Sequence, residues 1–175
     1  MGLQPVGTEL YILGTSHPLQ CGSAECAQAT ILAFDAELRR LCETFKIQRI
    51  TEEMTADGLA QHKVTDTVGQ RVAKDFGILH QPVDLSPQER IGISIDDSVV
   101  IATVRRYGIF DGGPFREAFD DLADGIRERV WLARILSKEE WPVLFICGSD
   151  HAVSVRRLCR RLGIDAKVAH RDYEP

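Results

Sequence analysis

The chain has 175 residues, 44% apolar and 27% charged, with a formal net charge of -5. That size and balance fit a single domain spanning residues 1 to 175 with a core of its own, and they exclude a disordered or collagen-like chain. The acidic excess gives no global field to attract nucleic acid, and no apolar window approaches membrane-spanning length. Cys21, Cys26, Cys42, Cys147 and Cys159 are odd in number, and the N-terminus lacks the pattern of a secretory leader. Together these lead us to expect a cytoplasmic protein without a disulfide framework.

Thr8 to Leu13 reads as a first strand, followed by a loop through His17, Pro18 and Gly22. Ser23 is placed to cap a helix running to about Phe45, with Ala27, Ile31, Phe34, Leu38, Leu41 and Phe45 recurring at three- and four-residue steps along one face. Lys46 to Thr51 is a second strand, ended by Glu52-Glu53. A weaker helix follows over Thr65 to Phe76, then a short strand at Ile78-Leu79-His80, with Pro82 and Pro87 punctuating what comes next. Gln88 to Phe110 is ambiguous: Gln88 to Ile93 favours a helix start, whereas Ser98 to Val104 is rich in β-branched residues. The crossover to the next strand favours helix.

Asp111-Gly112-Gly113-Pro114 is a loop, and Phe115 to Leu136 a long helix. Trp141-Pro142 leads into a strand ending at Gly148. Asp150 is placed to cap a helix to Leu162, with Gly163 just past its end, and Ala166 to His170 is a last strand. Strand and helix alternate, which predicts an α/β fold: three layers around a mainly parallel sheet, with the site at the C-terminal ends of the strands.

The strongest local signal occurs twice. Gly14-Thr15-Ser16-His17 follows the apolar run Leu10 to Leu13, and Gly148-Ser149-Asp150-His151 follows Val143 to Cys147. Each is a buried parallel strand, a glycine turn, two small polar residues and a histidine. In one parallel sheet both histidines emerge at the carboxyl edge, where they can serve as general bases or bind zinc.

Glu52 and Glu53 end the second strand at the same edge. Strand periodicity sends their side chains to opposite faces, so only one enters the crevice, to orient and charge a histidine or to join His17 and His151 around a divalent metal. Arg127 and Trp131 share a helix face, and Arg127 or Arg129 could bind an anionic group or steady a developing oxyanion. Ser16 and Asp150, inside the two motifs, are candidate substrate contacts. His80 and Asp84 lie near the third strand end as crevice lining. His17 with Cys21 and Cys26 is a weak metal pattern. The basic stretch Arg156 to Arg161 reads first as the solvated last turns of a helix, and second as a phosphate or nucleic-acid patch.

In order along the chain, these residues resemble the TraB, ChaN, Tiki and erythromycin-esterase-like superfamily. The resemblance rests on Leu13 to His17, a glutamate after the second strand, an Arg-acid-x-x-aromatic-x-Ala segment at Arg127 to Ala133, and Phe145 to His151 followed by a helix and Gly163. It implies a mixed α/β fold with one pocket at the strand ends, and hydrolase chemistry in several branches. In those branches the histidines act with a metal or without one, and the ChaN branch is associated with haem or iron. His17, Glu52 or Glu53, Arg127 and His151 take the family's site positions. The chain lacks the secretion or membrane segments of the TraB and Tiki branches, which weighs against a protease.

The expected function is a small hydrolase acting on a small-molecule substrate. Its machinery is the paired Gly-x-x-His motifs with a glutamate and an arginine, acting alone or with a divalent metal held by His17, His151 and Glu53. No nucleic-acid or membrane partner is expected, and a homo-oligomer stays open. The alternatives are a non-catalytic binding module for haem, a metal ion or a small anionic metabolite, and a protein whose site is completed by a partner.

Overall fold

The computed structural model describes residues 9–95 and 114–175, with side chains described from residue 119 onward in the second stretch. Five strands form one sheet: β1 (Glu9–Thr15), β2 (Arg49–Glu52), β3 (Leu79–Pro82), β4 (Val143–Gly148) and β5 (Asp165–His170). Their order is β3-β2-β4-β1-β5, and every pairing is parallel. The helices are α1 (His17–Cys21), α2 (Gln28–Phe45), α3 (Ala56–Gln61), α4 (Val68–Phe76), α5 (Pro87–Gly92), α6 (Pro114–Leu136) and α7 (His151–Arg161).

Alternation along the central strands makes three layers. Tyr11, Leu13, Ile50, Leu144 and Ile146 face α2 and α4, where Phe34, Leu38, Leu41, Val68 and Val72 complete one core. Leu10, Ile12, Val143, Phe145 and Cys147 face the other way, against Trp131, Leu132 and Ile135 of α6 and Val155 and Cys159 of α7. With both faces covered, β1 and β4 must be apolar throughout, hence their unbroken hydrophobic runs.

The strand order places the crevice. β1 and β4 are neighbours, with Gly14 opposite Cys147 and Thr15 opposite Gly148. The chain leaves β1 through α2 on one face and leaves β4 through α7 on the other. Connections that part in this way open a gap beyond the carboxyl ends of the strands. His17 follows β1 and His151 follows β4, each as the first residue of a helix.

Several local expectations need correction. His17 begins the short helix α1 rather than lying in a loop. Ser23 does not cap α2: its hydroxyl accepts from the Glu25 amide, and the helix starts five residues later at Gln28 behind Ala27. Asp150 occupies the position before α7 in helical backbone geometry and makes no capping bond. The helix α3, capped by Thr55, was not expected. The helix expected from Thr65 is α4, which starts at Val68 behind its cap Thr67. Of the ambiguous 88–110 stretch, α5 holds the start, with a Ser86–Glu89 capping box. Residues 96–110 of that stretch, Thr8 and the Asp111–Gly113 turn lie outside the described residues.

The two motif glycines serve different purposes. At Gly14 the chain beyond β5 crosses so closely that an added Cβ would lie 2.0 Å from the Arg171 carbonyl oxygen. The Tyr173 amide donates to the Gly14 carbonyl there at 2.7 Å. Gly148 instead offers its amide to the site.

Candidate functional site

β2 ends in two carboxylates that the pleat sends apart. Glu53 leaves the strand on the α6 side, its amide donating to the Ile146 carbonyl of β4. Its side chain is almost wholly buried at the gap between β1 and β4. Gly148 N–H donates to Glu53 Oε2 at 2.8 Å, and Arg127 Nη2 donates to Oε1 at 2.5 Å. His17 Nε2 lies 3.6 Å and His151 Nε2 3.7 Å from that same Oε1. One carboxylate therefore meets both motif histidines and the arginine.

The long helix α6 supplies the opposite wall. Asp124, Arg127, Glu128 and Trp131 fall at steps of three, one and three, on one face. Glu128, buried, lies 3.1 Å from His151 Nδ1 through Oε1, which also accepts the Ser154 hydroxyl. A carboxylate on Nδ1 fixes the ring so that Nε2 faces Glu53. Trp131 lies edge-on to the His151 ring at a centroid distance of 4.9 Å, and the Arg127 guanidinium sits 4.9 Å over the indole.

Asp84, after β3, closes the network. It accepts from Trp131 Nε1 at 2.8 Å, Arg127 Nε at 3.2 Å, Arg90 Nη2 at 2.5 Å and its neighbour's amide. Arg127 thus donates to Glu53, Asp84 and Asp124 together. Its donors are committed to protein carboxylates, so its geometry is that of a brace for Glu53 and Asp84 rather than a free anion hook.

The charges shift one another's titration. The Glu53 carboxylate beside His17 raises that histidine above its ordinary value, more than burial lowers it. For His151, burial pulls downward, but the Glu128 contact and the charges of Glu53 and Asp124 outweigh it, and the net shift is upward. Burial disfavours charge on Glu53, yet His17, His151, Arg127 and the Gly148 amide overcome it and hold the carboxyl below the usual range. Asp84 is lowered in the same way, chiefly by Arg127 against its own burial.

A cavity of about 410 Å³ opens onto this cluster. His17, Glu53, Asp84, Arg90 and Arg127 line it, together with Asp57, Gln61 and His62 of the α3 region. His17, its side chain 47% exposed, is the motif histidine that reaches the cavity; His151, at 12%, stands behind Glu53.

Other expected residues lie elsewhere. Glu52 points to the α1–α4 side, where it meets His80 Nε2 at 2.7 Å and accepts the Thr67 hydroxyl and, at 3.4 Å, the Gln20 amide. His80 therefore belongs to that cluster and not to the crevice. Arg129 is exposed and donates to the Gly125 carbonyl of its own helix. Ser16 and Asp150 are exposed and do not line the cavity. Cys21 is buried against Met54, its thiol pushed up to about 11 by burial, which suits neither a thiolate nucleophile nor a ligand.

Among the described residues, no three His, Cys, Asp or Glu side chains are arranged to hold a metal ion. The set His17, His151 and Glu53 does not fit one, because Arg127 already occupies the oxygen that both histidines approach. Sequence reasoning missed Glu128 and Asp124 and undervalued Asp84. The readable signal was the α6 spacing, which lays charged side chains along the turns that carry the buried Trp131.

Comparison of the chain with family models, with curated proteins and with solved structures finds no match.

Proposed function

We propose that this protein is a small hydrolase acting without a bound metal, with His17 as the general base on a water molecule in the 410 Å³ cavity. The observation that carries this reading is the convergence of both Gly-x-x-His motifs on the buried Glu53 carboxylate, which lines the cavity. Water attacks an electrophilic carbon or phosphorus and loses its proton to His17 Nε2. Glu53 stabilises the imidazolium that forms, which then returns the proton to the leaving group. His151, oriented by Glu128, and Arg127 are positioning residues that keep Glu53 ionised and aimed. The developing oxyanion falls to Arg90, which lines the cavity, is a third exposed, and has Nε on the Leu85 carbonyl and Nη2 on Asp84, leaving Nη1 for this role.

The motif order resembling the TraB, ChaN, Tiki and erythromycin-esterase-like proteins supports the same reaction class. That five cysteines are all free supports a reducing compartment, hence the cytoplasm. No described helix is long and apolar enough to cross a membrane.

The test is a panel of chromogenic esters, amides and phosphoesters assayed with the parent, His17→Ala and Arg129→Ala. Turnover in the parent and in Arg129→Ala, lost in His17→Ala with unchanged thermal stability, is the expected result. Equal turnover in His17→Ala overturns the reading. The commitment of Arg127 to three carboxylates favours one second reading, a binding pocket for a small polar metabolite. It predicts ligand uptake by the parent and turnover of no substrate class.

A further inference from the structure

A second cavity of about 370 Å³ lies between α7 and β5, away from the catalytic crevice and sharing no lining residue with it. Val153, Arg156, Arg157 and Arg160 line it from α7, at steps of three, one and three along one helix face. Val168 of β5 and Arg171, just beyond that strand, line the other side. Four arginines and two valines thus line one concavity.

Arg39, Arg40, Arg90, Arg127 and Arg134 each contact a carboxylate, while Arg71 and Arg129 donate to backbone carbonyls. Among the described residues, none of Arg156, Arg157, Arg160 and Arg171 makes an ion pair. That is so in a chain whose 26 acidic residues outnumber its 21 basic ones. The helix dipole accounts for Arg160 in the last turn of α7. It does not account for Arg156 and Arg157 in mid-helix, or for Arg171 on the facing segment. Like charges gathered in a concavity repel one another unless an anion sits among them, and guanidinium forks suit phosphoryl oxygens.

We propose that this groove binds a small phosphorylated metabolite carrying at least two adjoining phosphoryl charges. Its phosphates lie among the four arginines and its organic body against Val153 and Val168. The cavity volume suits a ligand of nucleotide size. This inference is independent of the reading of the catalytic crevice.

Calorimetric titration with ATP and with inorganic pyrophosphate tests it, comparing the parent, Arg157→Ala/Arg171→Ala and His17→Ala. The replaced arginines are exposed, so the double variant folds, which thermal melting verifies. Expected are saturable one-to-one binding of ATP to the parent, weaker binding of pyrophosphate, at least about tenfold loss of ATP affinity in the double variant, and no change in His17→Ala. Three results overturn the proposal: no saturable binding of either probe, equal affinity in parent and double variant, or loss of binding in His17→Ala alone. A single-stranded oligonucleotide that binds while ATP does not also overturns it, in favour of a nucleic-acid backbone.

Discussion

Glu52 and Glu53 stand side by side at the end of β2, one 0% and the other 2% exposed, yet their surroundings differ. Around Glu52 the packing is closed. Thr67, His80 and Gln20 supply its partners, and Gly69 approaches so tightly that an added Cβ would lie 2.6 Å from Oε1. Around Glu53 two histidines and a braced arginine converge, and a cavity is lined by Glu53, His17 and Arg127. Burial alone does not mark a functional acid. What separates the two is access: Glu53 lines the cavity, whereas Glu52, although it too meets a histidine, does not.

The largest expected effect is therefore on activity and falls on one side only. Glu53→Gln removes the charge that sustains a His17 imidazolium, so turnover should fall by about 10²-fold or more. Glu52→Gln should leave kcat and KM within about twofold. Equal losses in steady-state assays of the two variants would erase the distinction. Stability should reverse the ranking of interest: Glu52→Ala leaves Thr67 and His80 facing a buried void and should cost about 1–3 kcal/mol in urea denaturation.

Gly14→Ala probes the scaffold that carries His17. The new methyl must displace the Arg171 carbonyl, which should cost roughly 1–3 kcal/mol and leave the Glu52 cluster untouched. A melting temperature equal to the parent's would mean that the C-terminal crossing yields freely.

The smallest effect is on the pH dependence of stability. His17 and His151 titrate above their ordinary value of about 6.5 in the folded protein. A raised folded pKa contributes stability that is fully present below the unfolded value and lost as pH rises through the folded value. Urea midpoints should therefore decline as pH passes upward from about 6.5, and the decline should be shallower in His17→Ala. Glu53, lowered in the fold, acts at the other end: its contribution holds above its ordinary carboxylate range and disappears as pH falls through the folded value. A midpoint that rises through the neutral range would contradict the assigned His–Glu contacts.

Much of the architecture was legible because β1 and β4 are buried on both faces and can only be continuous apolar runs. Their glycine-to-histidine turns then indicated the sheet edge before strand order was known. The rest was hidden for definite reasons. Which of Glu52 and Glu53 faces the cavity depends on which side of the sheet α6 covers, and that follows from strand order. Asp84 read only as crevice lining, which it is, because its partners Arg127 and Trp131 are more than 40 positions away in the chain. Asp124 and Glu128 were obscured by the general acidity of their helix. Asp150 failed as a cap because the backbone before α7 is already helical, leaving its side chain no amide to reach.

Gly148 offers its amide to Glu53 while the next peptide down that strand pairs β4 with the end of β2. The placement of both acids thus depends on parity. Insertion or deletion of one residue between Arg49 and Glu53 would exchange the two carboxylates across the sheet, turning Glu53 into the sealed cluster. A change of two residues would restore the faces and only shift them along. Length variation in this strand should accordingly be tolerated in even steps and rejected in odd ones. The rule can be put to a library of β2 insertions sorted first for folding and then for turnover.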